Sequence, residues 1–350
     1  MNIRTDNILF ATLLLALSLL TACGQEKNVP LPDEGNSEVR LDLSARMSAG
    51  GTMESRATGN EPVFDDFADG SYSFGTWVCH HEEDPKDFVP TKNRYANIPT
   101  AMTVSDDGQS WLYTFPNRPA TSLNVSRGIP IDIYMFSPRP TTGTQAERPD
   151  AVPFTSGKDD WMWAKTSVSK ETLTGDKVSV PIKFSHAMTC LRVAITAKHP
   201  GSSLTSITLN DRKSEESKRL YAGGLLDLAG QALVLEDKDR TGQVKVTYNT
   251  ALGTEPTKPT FVNIFMPPPA IVGGEVYEGD FTLSFVFNGN TAKTEFIIPK
   301  TINAEGETVD IGNFEAGKRY TYRLTLDNPV IFAPVEVDDQ WETVYEDLEL

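Results

Sequence analysis

The sequence predicts an all-β protein made of antiparallel β-sandwiches. Short runs rich in β-branched and aromatic residues recur along the chain, and clusters of Gly, Pro, Asn and Asp separate them. The periodicity of amphipathic helices is almost absent. Roughly seven strand-like runs precede residue 178 and roughly seven or eight follow it, a number that fits two sandwiches in tandem.

The composition is that of a folded, acidic protein. Of the 350 residues, 39% are hydrophobic and 9% are aromatic, which is enough to build a packed core. The formal net charge is -16 at pH 7. Because a polyanionic surface repels phosphate backbones, this charge argues against nucleic-acid binding.

The first residues have the pattern of a bacterial lipoprotein signal. Arg4 precedes an apolar run over residues 8–20, which is short for a membrane span and the right length for a signal peptide. The run ends in Leu20-Thr21-Ala22-Cys23, which resembles a lipobox. We therefore expect cleavage after residue 22, lipidation of Cys23 and anchoring to the outer membrane.

A strand-like segment follows a polar, Pro- and Gly-rich tether. Apolar side chains stand at every second position of this segment, which is the period of a half-buried strand. They are Val39, Leu41, Leu43 and Ala45. Arg46 follows directly, and Arg56 lies in the loose stretch beyond. A strand-forming segment thus stands between the expected lipid anchor and a loop that a protease could cut.

The later strands are separated by recognisable turns. The clearest hairpin signal is Asn288-Gly289 between the apolar runs 281–287 and 291–298. The run at 320–326 alternates cleanly between apolar and polar residues. The chain thus divides into a signal peptide (1–22), a lipidated tether with the strand-like segment (23–60), two sandwiches (61–177 and 178–329) and a C-terminal tail (330–350).

Motifs for catalysis, metals or cofactors are missing from the sequence. No His-Glu-x-x-His, Gly-x-Ser-x-Gly or phosphate-binding loop is present, so we expect no enzyme activity, no metal and no cofactor. Cys79 and Cys190 each lie in an apolar run, where they either pair as a disulfide or pack as small hydrophobic residues. Trp161 and Trp163 either pack inward or stack on a sugar ring.

Four segments together resemble the fimbrillins and fimbrillin-like lipoproteins of Bacteroidetes. They are Ser55-Arg56-Ala57-Thr58, IDIYMFSP at 131–138, IKFSHAMTCLRV at 182–193 and FEAGKRYTYRLTL at 314–326. The resemblance spans roughly residues 55 to 341, and the Phe-x-His-x-Met pattern at 184–188 is its most specific part. It implies two transthyretin-like sandwiches and a subunit of a type V pilus that supports adhesion.

In that family, an Arg-specific protease removes an N-terminal strand from the lipoprotein precursor. A strand from another pilus subunit, commonly its C-terminal segment, then fills the open groove. Transferred to this chain, the resemblance implies a cut after Arg46 or Arg56. Residues 39–45 are then either the removable strand of the tether or an ordinary first strand of a domain. The candidate donor residues are Ile331, Ala333, Val335 and Val337.

Two alternatives stay open at the level of sequence. The chain could be a tip or an anchor subunit of the same pilus, since the sequence does not tell whether the tail is already the last strand of the body. It could also be a surface lipoprotein that binds a glycan through Trp161 and Trp163 and never polymerises.

Overall fold

A computed structural model describes the body of the chain. The described residues are 38–46, 73–81, 83–90, 94–104, 110–116, 123–140, 146–212, 218–270, 281–288, 294–297, 301–302, 308–309, 314–326, 331–333 and 337–338. They are nearly all strand or turn and include no α-helix, so the all-β prediction is confirmed. Short 3-10 turns lie at Pro85–Asp87 and Asp237–Asp239.

The described strands are numbered in chain order. They are β1 Glu38–Arg46, β2 Phe74–His80, β3 Tyr95–Val104, β4 Ser110–Thr114, β5 Leu123–Ser126, β6 Ile131–Ser137, β7 Val152–Thr155, β8 Met162–Val168, β9 Lys177–Pro181, β10 Ser185–His186, β11 Thr189–Ala197, β12 Ser203–Asp211, β13 Leu220–Tyr221, β14 Gly223–Asp227, β15 Ala232–Val234, β16 Arg240–Thr241, β17 Gln243–Ala251, β18 Thr260–Met266, β19 Phe281–Phe287, β20 Thr294–Ile297, β21 Thr301–Ile302, β22 Thr308–Val309, β23 Arg319–Leu326, β24 Ile331–Ala333 and β25 Val337–Asp338.

The N-terminal sheet folds over on itself. Its order is β10-β8-β6-β2-β3-β4-β1-β5, and β9 pairs with β1. β3 pairs with β2 through residues 95–100 and with β4 through residues 101–104, so it passes from one half of the sheet to the other. Leu41 of β1 and Ile133 of β6 lie in one buried cluster although their strands are far apart in the sheet. The two halves therefore enclose a single core, as in a sandwich.

The C-terminal half packs two separate sheets around a second core. One sheet has the order β18-β11-β23-β24, with β25 also pairing with β23, and the other has the order β17-β12-β19-β20. Side chains from both meet in one buried cluster, including Val193 of β11, Tyr322 of β23, Ile207 of β12 and Phe285 of β19. The arrangement is again two layers with apolar inner faces.

A third buried cluster contains residues from both the N-terminal and the C-terminal half of the sequence, among them Trp77 and Phe265. The small sheet β15-β14-β7 joins Val152–Thr155 to strands that come later in the chain. A separate bridge joins Gly157 to Phe265 of β18. The predicted sandwich boundary at 177/178 falls inside β9, and β9 and β10 pair with strands of the N-terminal sheet. The tandem transthyretin-like division itself stays a prediction.

A fully buried ion pair joins the last residue of β12 to the residue before β13. The side chains of Arg219 and Asp211 are both 0% exposed, and Nη2 of Arg219 lies 2.7 Å from Oδ1 of Asp211. Nε and the backbone N–H of Arg219 also donate to this carboxylate, at 3.1 and 2.8 Å. The guanidinium stacks over the ring of Phe281, 4.4 Å from its centroid. Such a pair tolerates the loss of neither partner, because the remaining charge is buried.

We expect Asp211→Ala to lower the free energy of unfolding by about 3–5 kcal/mol, because it removes the buried acceptor of three hydrogen bonds from Arg219. Urea unfolding followed by tryptophan fluorescence measures the change. The matched control is Asp237→Ala, whose side chain is 89% exposed in its pair with Arg240 and should change stability little. Equal losses in both variants would contradict the prediction.

Candidate functional site

The first strand of the described chain is hydrogen-bonded along both edges. On one edge, Glu38–Leu41 pairs antiparallel with β5 and Ser44–Arg46 pairs antiparallel with β4. On the other edge, residues 40–44 pair in parallel with β9. Since residues 40, 41 and 44 pair on both sides at once, β1 is a central strand rather than an edge strand.

The inner face of β1 is completely buried. Val39 and Leu41 are 0% exposed and Leu43 is 1% exposed, and all three belong to the N-terminal core. They pack in the same cluster as Leu123 and Val180, from the strands on either side of β1. The predicted alternation of the segment is therefore present in its burial, with inward residues at every second position.

The outer face of β1 carries charges that tie it to β9. Asp42 accepts hydrogen bonds from Nε of Arg40 at 3.0 Å and contacts Nζ of Lys177 at 2.6 Å. Burial by itself would raise the pKa of the Asp42 carboxyl, but the hydrogen bonds from Lys177 and Arg40 hold that pKa below its usual value. Lys177 thus adds a cross-strand contact to the parallel ladder.

The predicted processing residues lie at or beyond the end of β1. Arg46 is the last residue of the strand, and the backbones of Ala45 and Arg46 pair with Trp111 and Ser110 of β4. Cys23, Arg56 and the donor candidate Val335 lie outside the described residues.

The described C-terminal donor candidates, Ile331, Ala333 and Val337, are paired within their own chain. The backbones of Ile331–Ala333 and Val337–Asp338 form β24 and β25, and both run antiparallel to β23. β23 in turn pairs in parallel with β11 along its whole length. The described part of the tail therefore extends the C-terminal sheet by one strand beyond β23.

The two tryptophans lie at the third core. Trp161 is 4% exposed, and its ring stacks parallel to Phe136 with centroids 6.4 Å apart. Phe154 packs against it at 6.3 Å, and the indole N–H donates to the carbonyl of Thr155 at 3.1 Å. Trp163 is partly buried against the same cluster. A ring covered in this way presents no face for a sugar to stack on.

The buried carboxylate of Asp132 contacts both Ser167 and His81, but the three side chains are not arranged as a catalytic triad that would activate the serine. Asp132 accepts from Oγ of Ser167 at 2.5 Å and from the hydroxyl of Tyr134 at 3.2 Å, and it lies 2.9 Å from Nδ1 of His81. The carboxylate stands between Ser167 and His81, so the imidazole is not placed to take the serine proton. No group of three His, Cys, Asp or Glu in the described part of the chain could hold a metal ion.

Cys79 and Cys190 are both free and buried. Burial raises the pKa of the Cys79 thiol to about 12 and the pKa of Cys190 well above its usual value. Both thiols are therefore protonated at neutral pH and pack as small hydrophobic groups in the third core.

Sequence reasoning missed the parallel partner of β1. The alternation of Val178 and Val180 indicates a half-buried strand, which the predicted boundary at 177/178 places in the second sandwich. No local signal shows that β9 turns back to pair with β1, because strand pairing depends on long-range packing.

The family model of the fimbrillin-like proteins matches residues 56–339 of this sequence. The chain belongs to the fimbrillin-like family. Members of this family are structural subunits of fimbriae. The match begins after β1, at Arg56. No curated protein matches the sequence.

Among the described residues, no helix combines the length and the hydropathy of a membrane span.

Solved structures from Bacteroidetes are similar to this fimbrillin-like chain, and the first of them shares its fold. A protein of Bacteroides uniformis described as a cell adhesion protein superposes with a TM-score of 0.51 at 13% identity, covering 86% of this chain and 98% of its own. A similarly described protein of Bacteroides ovatus gives 0.48 at 14% identity, covering 89% and 99%. The tip fimbrial protein Mfa3 from Porphyromonas gingivalis gives 0.41 at 13% identity, covering 86% and 98%.

We expect Leu41→Ala to lower the free energy of unfolding of the intact chain by about 2–5 kcal/mol, because it leaves a cavity in the core that β1 completes. Thermal unfolding of the uncut chain measures the change. Arg40→Ala is the control on the same strand, since the Arg40 side chain is 49% exposed. Equal free energies of unfolding for the two variants would contradict a role of β1 in the core.

Proposed function

We propose that this fimbrillin-like chain is a structural subunit of a bacterial surface pilus and that it assembles by strand exchange after proteolysis. The observation that carries the proposal is the position of β1. A strand near the start of the chain occupies a central place in a sheet, one predicted cleavage residue, Arg46, ends it, and the other, Arg56, lies ten residues further along the sequence. Family membership supports the role of pilus subunit.

The precursor would reach the outer membrane as a lipoprotein. The lipobox-like sequence ending at Cys23 supports lipidation, and the polar stretch after it would serve as a tether. The mature chain would then be exposed at the cell surface, in a fimbrium that supports adhesion.

Cleavage after Arg46 or Arg56 would turn β1 into a separate peptide. A cut after either arginine falls on the C-terminal side of β1, so it breaks the covalent link of that strand to the body. The strand would then be held only by its ladders to β4, β5 and β9 and by its buried side chains. An Arg-specific protease is the partner that this step requires.

Departure of β1 would leave a groove that favours a new strand. Burial of Val39, Leu41 and Leu43 contributes about 1.5–3 kcal/mol for each side chain. The backbone groups of β4, β5 and β9 that now pair with β1 would lose their partners. Exposed apolar area and unpaired edges together drive strand addition.

The incoming strand would come from the C-terminal tail of another subunit. Ile331, Ala333, Val335 and Val337 stand at alternate positions, as the inward residues of a donor strand must. In this chain the backbones at 331–333 and 337–338 are paired with β23. A stalk subunit would therefore have to release this segment before it could donate it.

The pairing of the tail with β23 also favours a second role, that of a tip subunit. A subunit whose last strand stays in its own sheet can accept a strand but has none to donate. Such a subunit would end a pilus rather than extend it.

We expect the double variant Arg46→Ala/Arg56→Ala to resist an Arg-specific protease at these positions and to form no polymers. The measurement is limited digestion of the soluble precursor, followed by unboiled denaturing gel electrophoresis and N-terminal sequencing. Arg148→Ala is the control, since it removes an arginine whose side chain is 44% exposed in the body of the chain. A polymer ladder from the double variant would refute the proposal.

The same digestion of the natural sequence separates the two roles. One cut followed by a ladder that resists SDS identifies a stalk subunit. One cut without a ladder identifies a tip subunit, which needs a strand from another protein.

A further inference from the structure

Two outward backbone positions of the edge strand β18 are covered by other parts of the chain. β18 pairs with β11 on one side. On its other side, the hydroxyl of Tyr248 accepts from the N–H of Asn263 at 2.7 Å and donates to the carbonyl of the same residue. Burial raises the pKa of Tyr248 to about 12, so the hydroxyl keeps the proton that it donates.

A second contact covers the next outward position of β18. The N–H of Gly157 donates to the carbonyl of Phe265 at 2.8 Å, and the N–H of Phe265 donates to the carbonyl of Gly157 at 2.8 Å. Since Asn263 and Phe265 are two residues apart, they expose their backbone groups on the same edge. Both positions are thus closed.

The N-terminal sandwich contains the same arrangement on β5. The hydroxyl of Tyr95 donates to the carbonyl of Asn124 at 2.7 Å and accepts from its N–H at 3.1 Å. Tyr95 belongs to β3 and its side chain is buried in the core, with only 4% exposed. β5 pairs with β1 on its opposite side. Each sandwich therefore has one tyrosine that reaches from one strand to cover both backbone groups of a residue on another.

Both tyrosines lie at β-bulges, which redirect side chains. The pairing of β3 with β2 is interrupted between Tyr95 and Ile98, where Asn97 has a φ of 42°. The pairing of β17 with β12 is interrupted between Thr247 and Thr250, where Asn249 has a φ of 56°. Asn tolerates this left-handed backbone better than most residues. The two sites thus share a hydroxyl contact and the backbone irregularity beside it.

We propose that Tyr95 and Tyr248 are edge caps that prevent a second copy of this chain from adding a strand to β5 or β18. An open edge strand is a template for pairing with another chain, and an intramolecular hydroxyl that satisfies both backbone groups removes that template. The caps act in the uncut chain, where β1 is in place.

The role of Tyr95 extends to assembly, and in that respect it rests on the proposed function. When β1 departs, β5 loses its partner on the groove side, while Tyr95 still covers Asn124 on the other side. An incoming strand would then find a single open edge on β5. The Tyr95 contact would thus direct an incoming strand to the edge of β5 that β1 has left.

The test uses the full, uncut chain, so that it does not depend on whether proteolysis triggers assembly. Tyr248→Phe and Tyr95→Phe each remove one hydroxyl and keep the ring. We expect amide hydrogen exchange at Asn263 or Asn124 in the respective monomer to accelerate by up to about tenfold, as the loss of one hydrogen bond allows. Light scattering should show dimers and larger species at concentrations where the natural chain is monomeric.

Two further variants make the result specific. Tyr134→Phe is the control, because the Tyr134 hydroxyl donates to the carboxylate of Asp132 and not to an edge backbone. It should stay monomeric. Adding Asn263→Pro to Tyr248→Phe should restore the monomer, since proline removes the outward N–H of the edge. Tyrosine variants that stay monomeric like the natural chain, with or without faster exchange, would overturn the proposal, and so would association of Tyr134→Phe to the same extent.

Discussion

The N-terminal sandwich depends on one strand that is hydrogen-bonded along both edges and buried on one face. β1 joins β5 and β4 on one side to β9 on the other, and it supplies Val39, Leu41 and Leu43 to the core. No other pairing among the described strands connects β9 to the sheet. Chemistry that separates this strand from the body therefore changes the whole sandwich, which is the physical basis of the proposed assembly step.

The first and the last described segments of the chain are both strands that pair within a sheet of the same chain. β1 fills a position in the N-terminal sandwich, and β24 and β25 fill a position beside β23 in the C-terminal sandwich. Apolar alternation and backbone pairing are the same forces that would hold a strand from a neighbouring subunit. The Tyr95 and Tyr248 hydroxyls close edges that such a strand would otherwise also fit. In the proposed assembly, strand addition would thus have both a favoured place and excluded ones.

Local pattern predicted the strands but not their partners. The alternation of Val39, Leu41 and Leu43 indicated a half-buried strand because side chains on a strand alternate between faces. The parallel pairing of β1 with β9 left no trace in sequence, since register depends on which apolar faces meet in the core. The contacts of the Tyr248 hydroxyl were equally invisible, because they depend on a bulge and on a strand that follows it in the chain. The family resemblance rested on short motifs, and the family match over residues 56–339 confirmed it.

The most direct test is whether the place of β1 is a groove that accepts a strand after cleavage. The chain cut by an Arg-specific protease would be mixed with excess synthetic peptide of residues 38–46, with native mass spectrometry to count bound peptide and gel electrophoresis to follow polymers. We expect one peptide to bind each chain and to stop polymer growth, while a peptide with Leu41 and Leu43 replaced by Asp does neither. Polymer growth that ignores both peptides would contradict a groove at β1.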